Sequence, residues 1–203
     1  MKRLGDFILV VDGVIPQDMC ERMIGLFEGE NLSDEKRVSQ IEWEADYRQF
    51  TELNVTACAT RTDPLAREYA DINNFLIERQ CEVYSEYKKR VGADFLIPIE
   101  GVGFEGIRMK RYAANDYDQF GWHADVGDSR SCKRALAFFT YLNDVEEGGE
   151  TVFSNILDDG DGLVIKPKQG RMVVFPPMWM FPHKGMKPKS GPKYIVSQYV
   201  HYL

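Results

Sequence analysis

The chain has 203 residues, 44% of them hydrophobic and 12% aromatic, a composition that can bury a sizeable core and that predicts one domain over residues 1–203. With 25 basic and 32 acidic residues, the net charge of −7 argues against general binding to nucleic-acid phosphates or anionic membranes. No apolar run could span a membrane and no signal-peptide pattern is present, so we expect a soluble, cytoplasmic protein. Reduced thiols are expected because the four cysteines form no CxxC pair; they are Cys20, Cys58, Cys81 and Cys132.

The first part of the chain, about residues 1–94, predicts a helical support. An apolar strand over residues 7–11 precedes a helix over residues 16–29, in which apolar side chains recur at helical spacing. Residues 30–62 are polar and weakly periodic, which indicates loops with short strands.

A second, longer helix has clear boundary signals. Thr62 or Asp63 can cap it, Pro64 suits its first turn, and Gly92 can end it. Its apolar stripe consists of Leu65, Tyr69, Ile72, Leu76, Val83 and Tyr87.

The remainder, about residues 95–203, changes to short β segments separated by Gly, Pro, Asn and Asp. The candidate strands are residues 106–112, 135–142, 162–166, 171–175 and 193–202. Many short strands after a helical start favour a mainly β architecture, a sandwich or jelly roll with helices on one face.

Two of the three histidines suggest a metal site. In His123-Ala124-Asp125, residues two apart on an extended chain point to the same side, so an imidazole and a carboxylate can converge on one ion. His183 would add a third ligand from a later strand. A His-x-Asp pair alone is weak evidence, because an isolated one is more often structural.

Further motifs follow this pair in a fixed order. The segment Thr140-Tyr141-Leu142-Asn143 precedes Gly148-Gly149-Glu150-Thr151, and His183-Lys184-Gly185 precedes Lys193-Tyr194. From about Gly106 to the end of the chain, this order resembles the iron(II)- and 2-oxoglutarate-dependent dioxygenases. The resemblance is to their prolyl 4-hydroxylase-like branch, in its compact bacterial and viral forms.

The resemblance implies a double-stranded β-helix of the jelly-roll, cupin-like type. It implies Fe(II) held by His123, Asp125 and His183, with 2-oxoglutarate and O2 as co-substrates and ascorbate as reductant. The implied reaction is hydroxylation of a prolyl residue in a peptide or protein, with release of succinate and CO2. Two imidazoles and one carboxylate suit this chemistry because they leave coordination positions open.

The resemblance also implies a 2-oxoglutarate pocket. Lys193 is the expected partner of the distal carboxylate, and strand alternation would turn it inward. Tyr112 and Tyr141 are expected to hydrogen-bond the co-substrate, and Thr151 to line the pocket. Tyr117 replaces Tyr112 if the alignment before His123 is shifted, because Tyr112 lies eleven residues before that histidine.

Other functions remain open at this point. The same chemistry could act on a free amino acid or another small molecule, or the jelly roll could be an inactive binding protein. A nucleic-acid demethylase is disfavoured by the acidic charge and because no arginine follows Arg171. A halogenating relative would lack the carboxylate, which Asp125 provides. The oligomeric state has no sequence signature.

Overall fold

A computed structural model describes residues 4–31, 33–40, 47–92, 101–154 and 162–203. Within these ranges a 3-10 turn (Leu4–Phe7) precedes a set of helices and strands. The helices are α1 (Gln17–Gly29), α2 (Val55–Cys58) and α3 (Ala66–Val91). The strands are β1 (Leu9–Val11), β2 (Lys36–Gln40), β3 (Arg48–Asn54), β4 (Val102–Phe104), β5 (Arg108–Tyr112), β6 (Gln119–His123), β7 (Arg134–Tyr141), β8 (Thr151–Phe153), β9 (Leu163–Ile165), β10 (Met172–Phe175), β11 (His183–Gly185) and β12 (Lys193–Tyr202).

The strands form one antiparallel sheet that curls around a cavity. Its order is β1-β10-β7-β12-β5-β3-β6-β11-β8-β9, with β2 paired to β3 and β4 paired to β12. Side chains from β5, β6, β7, β8, β11 and β12 line the same cavity, so the two halves of this order face each other across it. The predicted mainly β jelly roll is confirmed.

The helices cover the outer face of the sheet. One apolar cluster joins α1 and the first half of α3 to Met109 of β5 and Val196 of β12. A second cluster joins Tyr84 and Tyr87 of α3 to Leu136 of β7. Because neighbouring strand residues point to opposite faces, Met109 and Val196 anchor the helices while the residues beside them face the cavity.

The long helix begins later than the sequence predicts. Its first residue is Ala66, and Asp63 forms a turn before it by accepting a hydrogen bond from the N–H of Leu65 at 2.8 Å. Leu65 is 41% exposed and does not belong to the buried stripe. The predicted end is correct, since Gly92 has a φ of 69°, a left-handed conformation that suits glycine.

The predicted strands over residues 106–112, 135–142, 162–166, 171–175 and 193–202 match β5, β7, β9, β10 and β12. The strands β4, β6, β8 and β11 were not among these candidates. All but β6 have only three residues, and segments this short carry almost no alternation. The predicted change of pattern near residue 95 lies outside the described residues. None of the helices described is both long and apolar enough to cross a membrane.

The packing of α3 yields a stability prediction. Leu76 is 0% exposed in the cluster between α1, α3 and the sheet, so Leu76→Ala should lower the free energy of unfolding by about 2–5 kcal/mol through a cavity. Urea denaturation measures this change. Glu86→Ala on the exposed side of the same helix is the control, and an equal loss in both variants would contradict the assigned packing.

Candidate active site

Three potential metal ligands meet at the open end of the cavity. His123 ends β6, Asp125 follows that strand, and His183 begins β11, which pairs with β6 so that the two histidines are opposite each other. Asp125 Oδ1 lies 3.5 Å from His123 Nε2, and Asp125 Oδ2 lies 3.6 Å from His183 Nε2. One ligand atom from each residue lies within 4.8 Å of the other two.

The backbone orients both imidazoles. His123 Nδ1 lies 2.8 Å from the carbonyl oxygen of Gly121, and His183 Nδ1 lies 3.1 Å from that of Phe181. Each Nδ1 therefore donates its proton to a carbonyl, which leaves the Nε2 lone pair directed at Asp125. The ring of Phe120 stacks on His123 at 3.5 Å between centroids and limits its rotation.

The protonation states suit a cation. Burial lowers the pKa of His183 to about 4, so this imidazole is neutral at physiological pH. Burial by itself would raise the pKa of Asp125, but its contacts with the two neighbouring imidazoles hold it well below its usual range. The trio therefore offers a cation two ring nitrogens and one carboxylate.

Arg134 and Tyr199 also contact Asp125, in addition to the two histidines. Arg134 Nη1 donates a hydrogen bond to the backbone oxygen of Asp125 at 2.8 Å, and its Nε contacts Glu105 at 2.7 Å. The guanidinium lies 3.8 Å from the ring centroid of Tyr199, whose hydroxyl donates to the Asp125 carboxylate. These contacts fix both the backbone and the side chain of Asp125.

Lys193 is buried at the inner end of the cavity. It is the first residue of β12 and is 2% exposed. Its Nζ donates to the backbone oxygen of Gly149 at 3.1 Å and lies 4.3 Å from the ring centroid of Tyr112. No carboxylate in the described part of the chain forms an ion pair with it, and burial lowers its pKa to about 7. A buried cation of this kind is complementary to an anionic ligand.

Two glycines allow Gly149 to present its carbonyl. Gly148 and Gly149 have φ angles of 78° and 74°, which side chains rarely adopt. A Cβ at Gly148 would lie 2.3 Å from the backbone oxygen of Lys187. This geometry explains the Gly-Gly pair that precedes Glu150 and Thr151.

Only some of the other predicted pocket residues line the cavity. Tyr112 and Thr151 line the cavity, whereas Tyr117 is 59% exposed and outside it. Tyr141 is fully buried behind the wall, and its hydroxyl lies 2.6 Å from Thr151 Oγ1. Tyr141 therefore supports Thr151 and does not line the cavity.

Lys110, Phe120 and Tyr199 also line the cavity but were not proposed from the sequence. Strand alternation could have identified two of them. Lys110 shares a face of β5 with Tyr112, and Tyr199 shares a face of β12 with Lys193. Phe120 carries no chemical signal in the sequence, since its role is to pack on His123.

The donor set fits a divalent transition metal. Two imidazoles and one carboxylate on one side of an ion match the 2-His-1-carboxylate site of non-haem Fe(II), which leaves positions for other ligands. Aromatic residues surround the trio. The rings of Phe153 and Phe175 pack against His183 at 5.4 and 4.9 Å between centroids. Such walls exclude water from a reaction at the ion.

Comparison with known families agrees with this geometry. Residues 107–201 match the family model described as the 2OG-Fe(II) oxygenase superfamily, where 2OG is 2-oxoglutarate. This match includes all three candidate ligands and Lys193. The comparison with curated proteins found no match.

Several solved structures share the fold. A viral collagen prolyl hydroxylase from Paramecium Bursaria Chlorella virus-1 is 22% identical with a TM-score of 0.65, over 98% of each chain. A prolyl hydroxylase from Trichoplax adhaerens, in complex with a hypoxia inducible factor peptide fragment, is 13% identical with a TM-score of 0.72, over 97% of this chain and 84% of that one. A Pseudomonas putida prolyl-4-hydroxylase is 14% identical with a TM-score of 0.64, over 97% and 93% of the two chains.

The site predicts selective loss of metal binding. His123→Ala and Asp125→Ala should each weaken binding of a divalent ion at least about tenfold, because each removes a direct ligand. Anaerobic titration with Co(II), followed by its visible absorption, measures this. His201→Ala is the matched control because His201 lies on β12, outside the trio; weaker binding in that variant alone would refute the assigned ligands.

Proposed function

Because residues 107–201 match the family model of the 2OG-Fe(II) oxygenase superfamily, we propose that the protein hydroxylates a prolyl residue of a peptide or protein. The chain is a 2-oxoglutarate-dependent dioxygenase that uses Fe(II), 2-oxoglutarate and O2. The finer assignment of a prolyl substrate is a proposal, as are the roles of individual residues.

One observation carries the proposal most strongly. A single cavity has the three potential metal ligands at one end and the buried Lys193, with no carboxylate partner among the described residues, at the other. A dicarboxylate co-substrate suits both ends, since one carboxylate can approach the metal while the other neutralises the ammonium.

The residues of the cavity would bind and orient Fe(II) and 2-oxoglutarate. His123, Asp125 and His183 would hold Fe(II), and Lys193 would bind the distal carboxylate of 2-oxoglutarate. Thr151 would add a hydroxyl contact beside Lys193. When bound, Fe(II) supplies the oxidation, in which one oxygen atom of O2 enters the substrate and the other enters succinate as CO2 leaves.

An outer cleft supports a substrate larger than the co-substrate. It opens beside the metal trio, has a volume of about 520 Å³ and includes residues from β2, β3, β5 and β7. The printed description of the Trichoplax adhaerens structure names a peptide in its complex. A free amino acid or another small molecule is the second candidate, because a cleft of this volume also suits such ligands.

Two further proposals concern the whole chain. Ascorbate would act as the reductant that returns oxidised iron to Fe(II), as the family resemblance implies. Residues 1–203 would act as one domain, which is supported by the pairing of β1 with β10 and of β3 with β5 and β6 in one sheet.

A spectroscopic experiment tests the reaction class at this site. Anaerobic protein with Fe(II) should develop a metal-to-ligand charge-transfer band on addition of 2-oxoglutarate, and exposure to O2 should then yield succinate. Asp125→Ala should lose both signals because it loses a metal ligand. If the wild-type protein gives no band, the proposed site is wrong.

A second experiment tests Lys193 through the pH dependence of binding. Lys193→Ala should weaken 2-oxoglutarate binding by about 2–5 kcal/mol, the range for removal of one partner of a buried charge pair. In the wild-type protein the pKa of Lys193 is lowered to about 7, and a bound carboxylate would raise it because it favours the charged form. Affinity should therefore be greatest below pH 7 and should fall up to about tenfold per unit as the pH rises above it.

Lys193→Arg is the control for this pH profile. An arginine stays charged throughout the range, so the affinity of this variant for 2-oxoglutarate should change little as the pH rises above 7. Equal pH profiles in the wild type and in Lys193→Arg would remove Lys193 from the binding site.

A further inference from the structure

The outer cleft carries more positive charge than its own residues neutralise. Apart from Asp125, the charged side chains among the described residues that line it are five cations and two carboxylates. These residues are Arg37, Arg48, Arg108, Lys110 and Arg134, with Glu52 and Glu105. An excess of this sign is notable in a chain whose net charge is −7.

Both carboxylates already have a partner. Glu105 forms an ion pair with Arg134 at 2.7 Å, and Glu52 forms one with Arg37 at 3.3 Å. Glu52 faces Lys110 across the β3–β5 ladder, yet its closest cation is Arg37. Among the described residues, no ion pair is formed by the three remaining cations, which are Arg48, Arg108 and Lys110.

These three cations lie beside the metal trio. Lys110 lines both the inner cavity and the outer cleft, so it is at the boundary between them. Its Nζ is 5.2 Å from the ring centroid of Phe50, and the guanidinium of Arg48 is 5.9 Å from the same centroid. Arg48 also lies 5.6 Å from the ring centroid of Phe120, which stacks on His123. Two like charges therefore share one ring, and no anion from the described part of the chain lies between them.

The co-substrate does not provide the missing anion. The charges of Fe(II) and Lys193 together balance those of Asp125 and the 2-oxoglutarate dianion. Nothing in the loaded inner cavity is left to neutralise Lys110, Arg48 and Arg108. Partly buried cations of this kind are stabilised when an anion binds to them.

We propose that the substrate carries a carboxylate that lies close in space to the carbon that is hydroxylated. Lys110, Arg48 and Arg108 bind this carboxylate. This inference rests on the proposed function and specifies its substrate class. The carboxylate can be an Asp or Glu side chain of a peptide, or the α-carboxylate of a free amino acid or of a chain terminus. The chemistry of recognition is the same in both cases, and the experiment separates the two sources.

The test uses the whole protein with Fe(II), 2-oxoglutarate and ascorbate, and detects substrates that gain the mass of one oxygen. One arm is a peptide library with a fixed proline and random neighbouring residues. The other arm compares L-proline with L-prolinamide, and peptides that end in a carboxylate with their C-terminal amides. Peptides with Asp or Glu at one library position should give about tenfold or more hydroxylated product than peptides with Asn or Gln there. Alternatively, the free carboxylates of the second arm should give more product than the matching amides by the same factor.

Charge variants link this preference to the cleft. Lys110→Met should reduce the preference for acidic substrates at least about tenfold, and Lys110→Glu should reverse it toward Lys and Arg. Arg111→Gln is the matched control, because Arg111 is on the same strand, faces the helices and pairs with Glu28 at 3.1 Å. The wild-type protein and Arg111→Gln should retain the charge-transfer band with 2-oxoglutarate, and circular dichroism should report that the Lys110 variants are folded.

Each outcome has a defined meaning. If the band is intact but acidic and neutral substrates are hydroxylated equally, the inference is wrong while the proposed function stands. If Lys110→Met weakens 2-oxoglutarate binding as much as Lys193→Ala does, Lys110 belongs to the co-substrate site and the inference is again wrong. Absence of product in both arms refutes the acidic prolyl substrate, and absence of the band refutes the proposed function itself.

Discussion

The alternation of side chains along β5 and β12 is the constraint on which the site depends. Residues at odd positions from Lys193 to Tyr199 face the cavity, and the residue between two of them, Val196, packs under the helices. Antiparallel pairing places Tyr112 of β5 opposite Lys193. A shift of one residue in this ladder would move the ammonium to the helix side, so the helix packing that fixes the register also fixes the chemistry.

The predictable features of this protein were those with a local physical signature. The last five candidate strands and the end of the long helix at Gly92 could be identified because alternation and a left-handed glycine act within a few residues. The start of that helix could not, since both Pro64 and Ala66 were compatible with its periodicity. The strand β8 has only three residues, and it depends on pairing with β9 and β11, which are distant in sequence.

The candidate site follows the same division. His123, Asp125, His183 and Lys193 were identified by residue type and order, and the structure brings the first three within bonding distance of one ion. The support around them was not accessible from sequence. Tyr141 was expected at the pocket surface, but its hydroxyl contacts Thr151 from behind. Contacts of this kind depend on which strands meet after the sheet curls, and a single sequence does not encode them locally.

The carbonyl of Gly149 has a consequence for how the inner cavity tolerates change. The acceptor of the hydrogen bond that Lys193 donates is a main-chain carbonyl, so replacing another side chain of the cavity wall does not remove the acceptor. A change at Thr151 therefore leaves this acceptor in place, whereas a change at Tyr112 also removes the ring that lies 4.3 Å from the ammonium. The positions that cannot change are Gly148 and Gly149, whose backbone angles exclude most other residues. Two residues without side chains thus determine how freely the pocket around them can adapt to a different dicarboxylate.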